Sequence, residues 1–259
     1  HSKLQGKFLN FYGKKNKSML RADLHIHTVL SPCGDLEMSP LSILEAARKQ
    51  KLDIIGITDH NSTRQSKIIR DAAKAFGIFV LTGAEVTTQE EAHCLAFFAD
   101  DARLDVFQEY LDKHLPDFPN NPEKFGYQVV VDTQDQILYE EKKLLISALD
   151  QSLEEVEKYV HSLEGIFIPA HIDKSRFSIL SQLGFVPPDL SCEALELSPH
   201  CDPATFFQTH PELTSYAFTQ SSDAHYIPDI GKSFTLLDLD VASFSAVRHA
   251  IQHLSLIHI

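Results

Sequence analysis

The chain reads as an α/β protein of mainly parallel strands, either a (β/α) barrel or an open doubly wound sheet, on three observations. Short apolar runs of strand length alternate with amphipathic stretches. Helix-start signals stand before two of the intervening stretches. Nearly every apolar run ends in a cluster of His, Asp or Glu, as the carboxyl ends of parallel strands do when they carry a site.

In order, the runs are Ala22–His27, Asp53–Thr58, Ile78–Val86, Cys94–Ala99, Gly165–Ala170, Ala194–Leu197 and Tyr216–Gln220. The pieces between them read as helices. Ser39-Pro40 is an N-cap followed by proline at the first helical position, and it puts Leu41, Leu44 and Ala47 on one face. Ser152-Leu153-Glu154-Glu155 fits a capping box, and Val156, Val160 and Leu163 continue its stripe. Residues 116–150 break the rhythm with Pro116, Pro119 and Pro122, which predicts an insertion packed over one body spanning 19–253. Residues 1–18 have no period of either kind and read as an extension or cloning remnant, with Met19 as the natural start. Residues 254–259 are an apolar tail with no evident place to pack, read as non-native.

With 43% hydrophobic and 23% charged residues, the 259-residue chain has the composition of an ordinary globule, and no stretch approaches the ~18 apolar residues of a membrane span. Residues 1–18 carry five lysines and no acid, so the net charge of −13 leaves about −18 on the body. A surface that acidic repels long polyphosphates, and the expectation is that duplex nucleic acid is not a partner. Cys33, Cys94, Cys192 and Cys201 form no CxxC pair and no secretory signal opens the chain, so a cytoplasmic home is expected. Histidine is the outlier, at 14 residues.

The histidines gather at strand ends. Asp23-Leu24-His25-Ile26-His27 closes the first run, Thr58-Asp59-His60 the second, Glu85 the third, His171 the fifth and Ser222-Asp223-Ala224-His225 the last. In HxH on a strand both imidazoles project to one side, which suits a divalent metal, and carboxylates then supply the charge that holds it. His93 begins a run instead; if Thr87–Ala92 turns the chain back, it returns beside Glu85. Each cluster alone has an ordinary explanation, such as a surface HxH pair, a helix cap at Asp59 or a satisfied core histidine at His171. All of them at strand ends and in order point to several metals. Gly231-Lys232-Ser233 lacks the first glycine of a phosphate loop. Lys174 and Arg176, just past His171, are candidates to clamp a phosphate.

These segments resemble the polymerase and histidinol phosphatase (PHP) family of metal-dependent phosphoesterases. The matches are DLHIHT at 23–28, GITDHN at 56–61, GAEVTT at 83–88, the stretch from His93, PAHID at 169–173 and SSDAH at 221–225. The resemblance implies a distorted (β/α)7 TIM-like barrel with up to three metals at the carboxyl ends of its strands. It implies that His25, His27, Glu85 and Asp223 hold one metal and that Glu85 bridges to a second held by His93 and His171. His60 and His225 would hold the third, where Cys33 replaces a usual histidine. Asp59 would orient an imidazole through its free N–H.

The implied cofactors are two or three divalent ions, Zn, Mn or Fe, which acidify a water for in-line attack on phosphorus. The expected substrate is a small phosphomonoester, a nucleotide end or a short oligonucleotide; the oligomeric state is left open. Two rivals remain: a metal-dependent amidohydrolase, whose bridging carboxylated lysine has no counterpart at a strand end here, and a non-catalytic binding module of the same architecture.

Overall fold

The computed structural model describes residues 19–254; the expected extension 1–18 and residues 255–259 of the expected tail lie outside them. The strands in chain order are β1 (Met19–Ile26), β2 (Ile54–Ile57), β3 (Phe79–Thr87), β4 (His93–Phe98), β5 (Val129–Val131), β6 (Ile137–Glu140), β7 (Ile166–Pro169), β8 (Leu195–Leu197), β9 (Phe218–Gln220) and β10 (Thr235–Asp238). The helices are α1 (Pro40–Lys49), α2 (Ser66–Ala73), α3 (Asp101–His114), α4 (Pro122–Phe125), α5 (Leu153–Ser162), α6 (Ile179–Leu183), α7 (Pro203–Thr209) and α8 (Phe244–Gln252). No described helix is long and apolar enough to cross a membrane.

A six-stranded sheet runs in the order β10-β1-β2-β3-β4-β7. β1, β2 and β3 are parallel, and β4 is antiparallel to both β3 and β7. β8 and β9 form a separate parallel pair. Isolated hydrogen bonds tie that pair into the ring: Ile172 N donates to Glu196 O at 2.8 Å, Gln220 N donates to Thr235 Oγ1 at 2.9 Å, and Thr235 Oγ1 donates to Gln220 O at 3.0 Å. The result is a mixed α/β fold with a curled half-barrel sheet, in which the expected (β/α)7 barrel is met only in part. The physical reason is the β3–β4 hairpin. A tight turn at 88–92 returns the chain antiparallel where a crossover helix would have kept it parallel.

Close approach explains two glycines of the motifs. A Cβ on Gly56 would meet Leu24 O at 2.3 Å, and one on Gly83 would meet Ala96 O at 1.9 Å. Strands β1–β4 can lie this close only without side chains there.

α5 has its predicted capping box: Glu155 N donates to Ser152 Oγ at 3.3 Å and Ser152 N to Glu155 Oε2 at 2.8 Å. α1 differs from expectation. Its inward face is Pro40, Ile43, Leu44 and Ala47, the helical spacing that excludes Leu41, and the Ser39 side chain bonds Ser42 Oγ instead of capping the helix. β10 is an edge strand paired antiparallel to β1, outside the strand–helix rhythm. Within 116–150, α4 and the β5–β6 hairpin lie against the body: Val131 N donates to Gln65 Oε1 at 2.8 Å, and Leu145 and Leu149 join the main core. Leu254 lies half-buried against the cluster that includes Leu237, Val247 and Ile251, so the tail's first residue does find a packing place.

Candidate metal centre

The carboxyl ends of β1, β2, β7 and β9 converge, and the hairpin adds Glu85 from β3 and His93 from β4. At their meeting point one carboxylate is ringed by imidazoles. Glu85 Oε1 lies 2.9 Å from His93 Nδ1, 3.0 Å from His171 Nε2 and 3.3 Å from His25 Nε2. Glu85 Oε2 lies 3.1 Å from His60 Nδ1 and 3.3 Å from His27 Nε2. Asp223 Oδ1 stands 3.3 Å from His25 Nε2 and 3.5 Å from His27 Nε2.

Hydrogen-bond accounting shows what this arrangement requires. Ser31 Oγ donates its one hydrogen to Asp59 Oδ1 at 2.7 Å, so it can only accept from His27 Nδ1 at 2.9 Å. That fixes a hydrogen on His27 Nδ1. His25 Nδ1 in turn faces the Glu196 carboxylate at 2.9 Å and donates to it. In neutral rings both Nε2 atoms then carry lone pairs, yet they face each other at 3.2 Å and face two carboxylates as well. Lone pairs so opposed need positive charge between them. His60 Nδ1, buried 3.1 Å from Glu85 Oε2, has no hydrogen-bond partner of good geometry among the described residues, and with the facing Nε2 pair and the two carboxylates it makes a donor set that fits divalent cations.

Without a cation, protons answer the same demand. Burial opposes charge on His25, but Glu196, Asp223 and Glu85 raise its pKa well above the ordinary imidazole value. Burial likewise opposes ionisation of Glu85, yet His93, His25 and His60 hold its carboxyl well below the usual range. At His60 burial wins and lowers the pKa, and at His225 it lowers it to about 4. The backbone is strained at the same loops: Asn61, His171, Phe177 and Asp223 have φ of 45°, 31°, 56° and 49°. Such left-handed residues cost about 1–3 kcal/mol each and cluster where a fold must aim side chains.

Among the described residues, three donor groups have the compactness that a metal requires, each with ligand atoms within 4.8 Å of one another: His25, His27 and Asp223; His60, Glu85 and His93; and His27, Cys33, His60 and His225. Cys33 is solvent-exposed as a residue while its sulfur points into this last group. Burial, Glu85 and Asp59 push its thiol pKa up. The structure therefore brings together His25, His27, Cys33, His60, Glu85, His93, His171, Asp223 and His225. It shares His27 between two groups and puts His60 beside Glu85 and His93.

Asp59 lies differently from expectation. Its oxygens are occupied by Thr28 N, Thr28 Oγ1 and Ser31 Oγ, each at 2.7 Å, so Ser31 relays it to His27 and no imidazole touches it directly. Lys174 pairs with Asp223, and Arg176 is exposed at the rim. Both line a cavity of about 310 Å³ with Cys33, His60, Ile146 and Phe177. A larger cleft of about 700 Å³ beside α1 is lined by no histidine or cysteine.

Two contributors, Glu196 and Ser31, have no place in the strand-end reading, and a third, Asp23, stands in its first cluster without a role assigned. Glu196 orients His25, and a lone acid inside the apolar run Ala194–Leu197 was the available signal. Asp23 is buried, with its pKa raised to about 6 by burial, and accepts from Ser222 N and Gly231 N at 3.0 and 2.9 Å, which steadies the Asp223 loop. Ser31 carried no signal, because a loop serine is ordinary.

A profile of the PHP domain matches residues 23–180. The chain belongs to the PHP domain family. Its curated relatives include uncharacterized protein MJ1587 of Methanocaldococcus jannaschii, 37% identical over 79 residues, 27% of this chain and 46% of that protein. Uncharacterized protein YqxK of Bacillus subtilis is 24% identical over 264 residues, 89% of this chain and 61% of that protein. The chain thus spans about half to three-fifths of the length of these relatives. Among solved structures, the lesion-specific endonuclease EndoQ of Pyrococcus furiosus matches with TM-score 0.67 and 19% identity, over 91% of this chain and 56% of that one. An assigned metal-dependent phosphoesterase of Bifidobacterium adolescentis matches with TM-score 0.55 and 21% identity, over 91% and 97%.

These likenesses correct the expectation about duplex nucleic acid. Endonuclease Q, at TM-score 0.65 and 19% identity over 57% of that chain, holds a 27-mer duplex with an abasic lesion at its active site, which conflicts with an exclusion of duplex nucleic acid drawn from net charge. Net charge is a poor guide because it counts Asp23, Asp59, Glu85 and Glu196, which are buried here, as if they faced a partner. The field at a site follows local charges and any bound ion.

Proposed function

We propose that this PHP domain hydrolyses phosphoric esters, with two or three divalent ions held by His25, His27, Cys33, His60, Glu85, His93, His171, Asp223 and His225. The observation that carries this reading is the opposed pair of His25 and His27 lone pairs beside two carboxylates, a geometry that costs energy unless cations occupy it. When bound, such ions supply Lewis-acid stabilisation of a phosphoryl centre and acidify water.

The chain's own residues do the rest. Glu85 offers both oxygens to neighbouring imidazole groups, which suits a bridging carboxylate. Glu196 and the Ser31–Asp59 relay hold the His25 and His27 rings with Nε2 inward. Lys174 and Arg176 stand at the mouth, where their cationic groups would meet phosphate oxygens as charge develops on them. Lys174, already beside Asp223, is pre-positioned; Arg176 can swing in from the rim. The substrate class is a small phosphomonoester or a nucleotide end.

The test is a screen of phosphorylated metabolites and short oligonucleotides with Mn, Zn and Fe each supplied, alongside metal analysis of the purified protein. Turnover that needs added metal and falls with Glu85→Ala supports the reading. Protein that binds metal stoichiometrically yet turns over no phosphoric ester overturns it.

A further inference from the structure

Every group lining the mouth of the site is ionic or metal-ligating except two. Phe177, between β7 and α6, is 43% exposed and stacks on His93 with ring centroids 5.1 Å apart and an interplanar angle of 14°. Ile146, from the 116–150 segment, is half-buried in the wall of the same cavity. Apolar surface left half-open inside an ionic pocket costs free energy, and a side chain held there against strain calls for a reason.

Both are held by the site itself. Phe177 sits at φ 56° while its carbonyl accepts from His93 N at 3.0 Å. Ile146 is fixed by Asn61, the neighbour of His60, whose side-chain amide donates to Leu145 O at 2.7 Å and Ser147 O at 2.9 Å. Asn61 is itself at φ 45° and accepts from Thr87 N at 3.1 Å. The same motifs that carry the candidate ligands therefore also place the two apolar groups.

We infer that Phe177 and Ile146 form a slot for a flat aromatic ring, so that the substrate is a nucleotide with its base in the slot and its phosphate at the metal cluster, not a sugar or polyol phosphate. This rests on the proposed phosphoesterase reading and narrows its substrate class. One face of the Phe177 ring is covered by the His93 imidazole, and a base stacking on its exposed surface would extend that stack. A base–aromatic contact of this kind changes affinity by about tenfold or more and tolerates any base, because each has a π-face. Arg176, next in the chain, can meet the phosphate from the same loop.

The experiment is a binding titration of adenosine 5′-monophosphate against ribose 5-phosphate, which differ only by the base, on the metal-loaded protein. The same pair is then measured on Phe177→Leu, Phe177→Tyr and Ile146→Ser. The wild type should bind the nucleotide at least about tenfold more tightly. Phe177→Leu should bring the ratio close to one, Phe177→Tyr should keep it, and Ile146→Ser should reduce it. A wild-type ratio near one, no binding of the nucleotide, or a Phe177→Leu protein that keeps the ratio would each overturn the slot. Because the readout is affinity, it stands apart from hydrolysis. A protein that discriminates the base but cleaves no ester would sink the phosphoesterase reading and leave the slot intact.

Discussion

Glu85 and Glu193 are both buried carboxylates in contact with histidine, and they are built in opposite ways. Glu193 has four donors for about four acceptor positions: Arg248 Nε and Nη2 at 2.9 and 2.7 Å, Phe167 N at 2.8 Å and His161 Nε2 at 3.3 Å. The second nitrogen of His161 is also taken, by Glu157 at 2.6 Å. Glu85 has five imidazole nitrogens within 3.3 Å, more than its lone pairs can accept, and its neighbours include buried nitrogens with no described partner. A completed network is a structural clamp, here joining α5, β7 and α8. An over-supplied one is what a set of metal ligands would look like, and it fits the proposed function.

The largest expected effect separates these two roles directly. Glu85→Ala should lower kcat/KM by well over the 10–100-fold that an outer-sphere partner is worth, and the bound metal should fall with it. Glu193→Ala should leave metal content unchanged and cost about 1–3 kcal/mol of stability, because the buried Phe167 N loses its acceptor while the half-exposed Arg248 can turn to water. Metal analysis and urea unfolding of the two variants make the comparison. A Glu85→Ala protein with full metal and turnover would erase the distinction.

Glu196 tests how far the ligand set extends. Its Oε2 holds His25 Nδ1 and also accepts from His171 N at 3.2 Å. Glu196→Ala frees the His25 ring to turn and should weaken metal affinity about 10–100-fold, read by titration with a competing chelator. An unchanged affinity would mean that packing alone orients the ring.

The difference between the two carboxylates also explains what the sequence made legible. Glu85 was visible because it ends an apolar run in line with His25, His60, His171 and His225, and strand alternation makes HxH converge. His93 was visible through the hairpin that returns it. Glu193 and Glu196 lie three residues apart, an odd spacing that puts them on opposite faces of an extended segment, and sequence alone does not say which of them faces a helix and which the site. The parallel β1–β3 corner followed from periodicity. β10 and the separate β8–β9 pair did not, because strand pairing is decided by distant partners and not by local pattern.

Cys33 sharpens the comparison at the exposed end of the cluster. If its sulfur completes the group with His27, His60 and His225, Cys33→Ala should weaken one bound metal and spare the others. Cys33→His should keep the full complement while moving preference from zinc or iron towards manganese. Oxidation by peroxide should release the same metal, reversibly on reduction and resupply. An alanine variant with all its metals and unchanged oxidant sensitivity would make the thiol a bystander.

The smallest effect belongs to the clamp. Hydrogen bonding to Glu193 raises the His161 pKa above its ordinary 6.5 despite partial burial, with Glu157 adding to it. Burial opposes ionisation of Glu193, yet His161, Phe167 N and Arg248 lower its pKa below the ordinary 4.5. The histidine's contribution to stability is therefore complete below about pH 6.5 and is lost as pH rises through its raised folded value. The carboxylate's contribution is complete above about pH 4.5 and is lost as pH falls through its depressed value. The clamp should be strongest between those limits. Since every other titrating group is common to both proteins, the measurement is the difference in unfolding free energy between wild type and His161→Gln at each pH from 5 to 9. That difference should be about 1 kcal/mol or less near pH 5.5 and should shrink towards pH 9. A difference independent of pH would mean that His161 acts by packing alone and that Arg248 carries the neutralisation of Glu193.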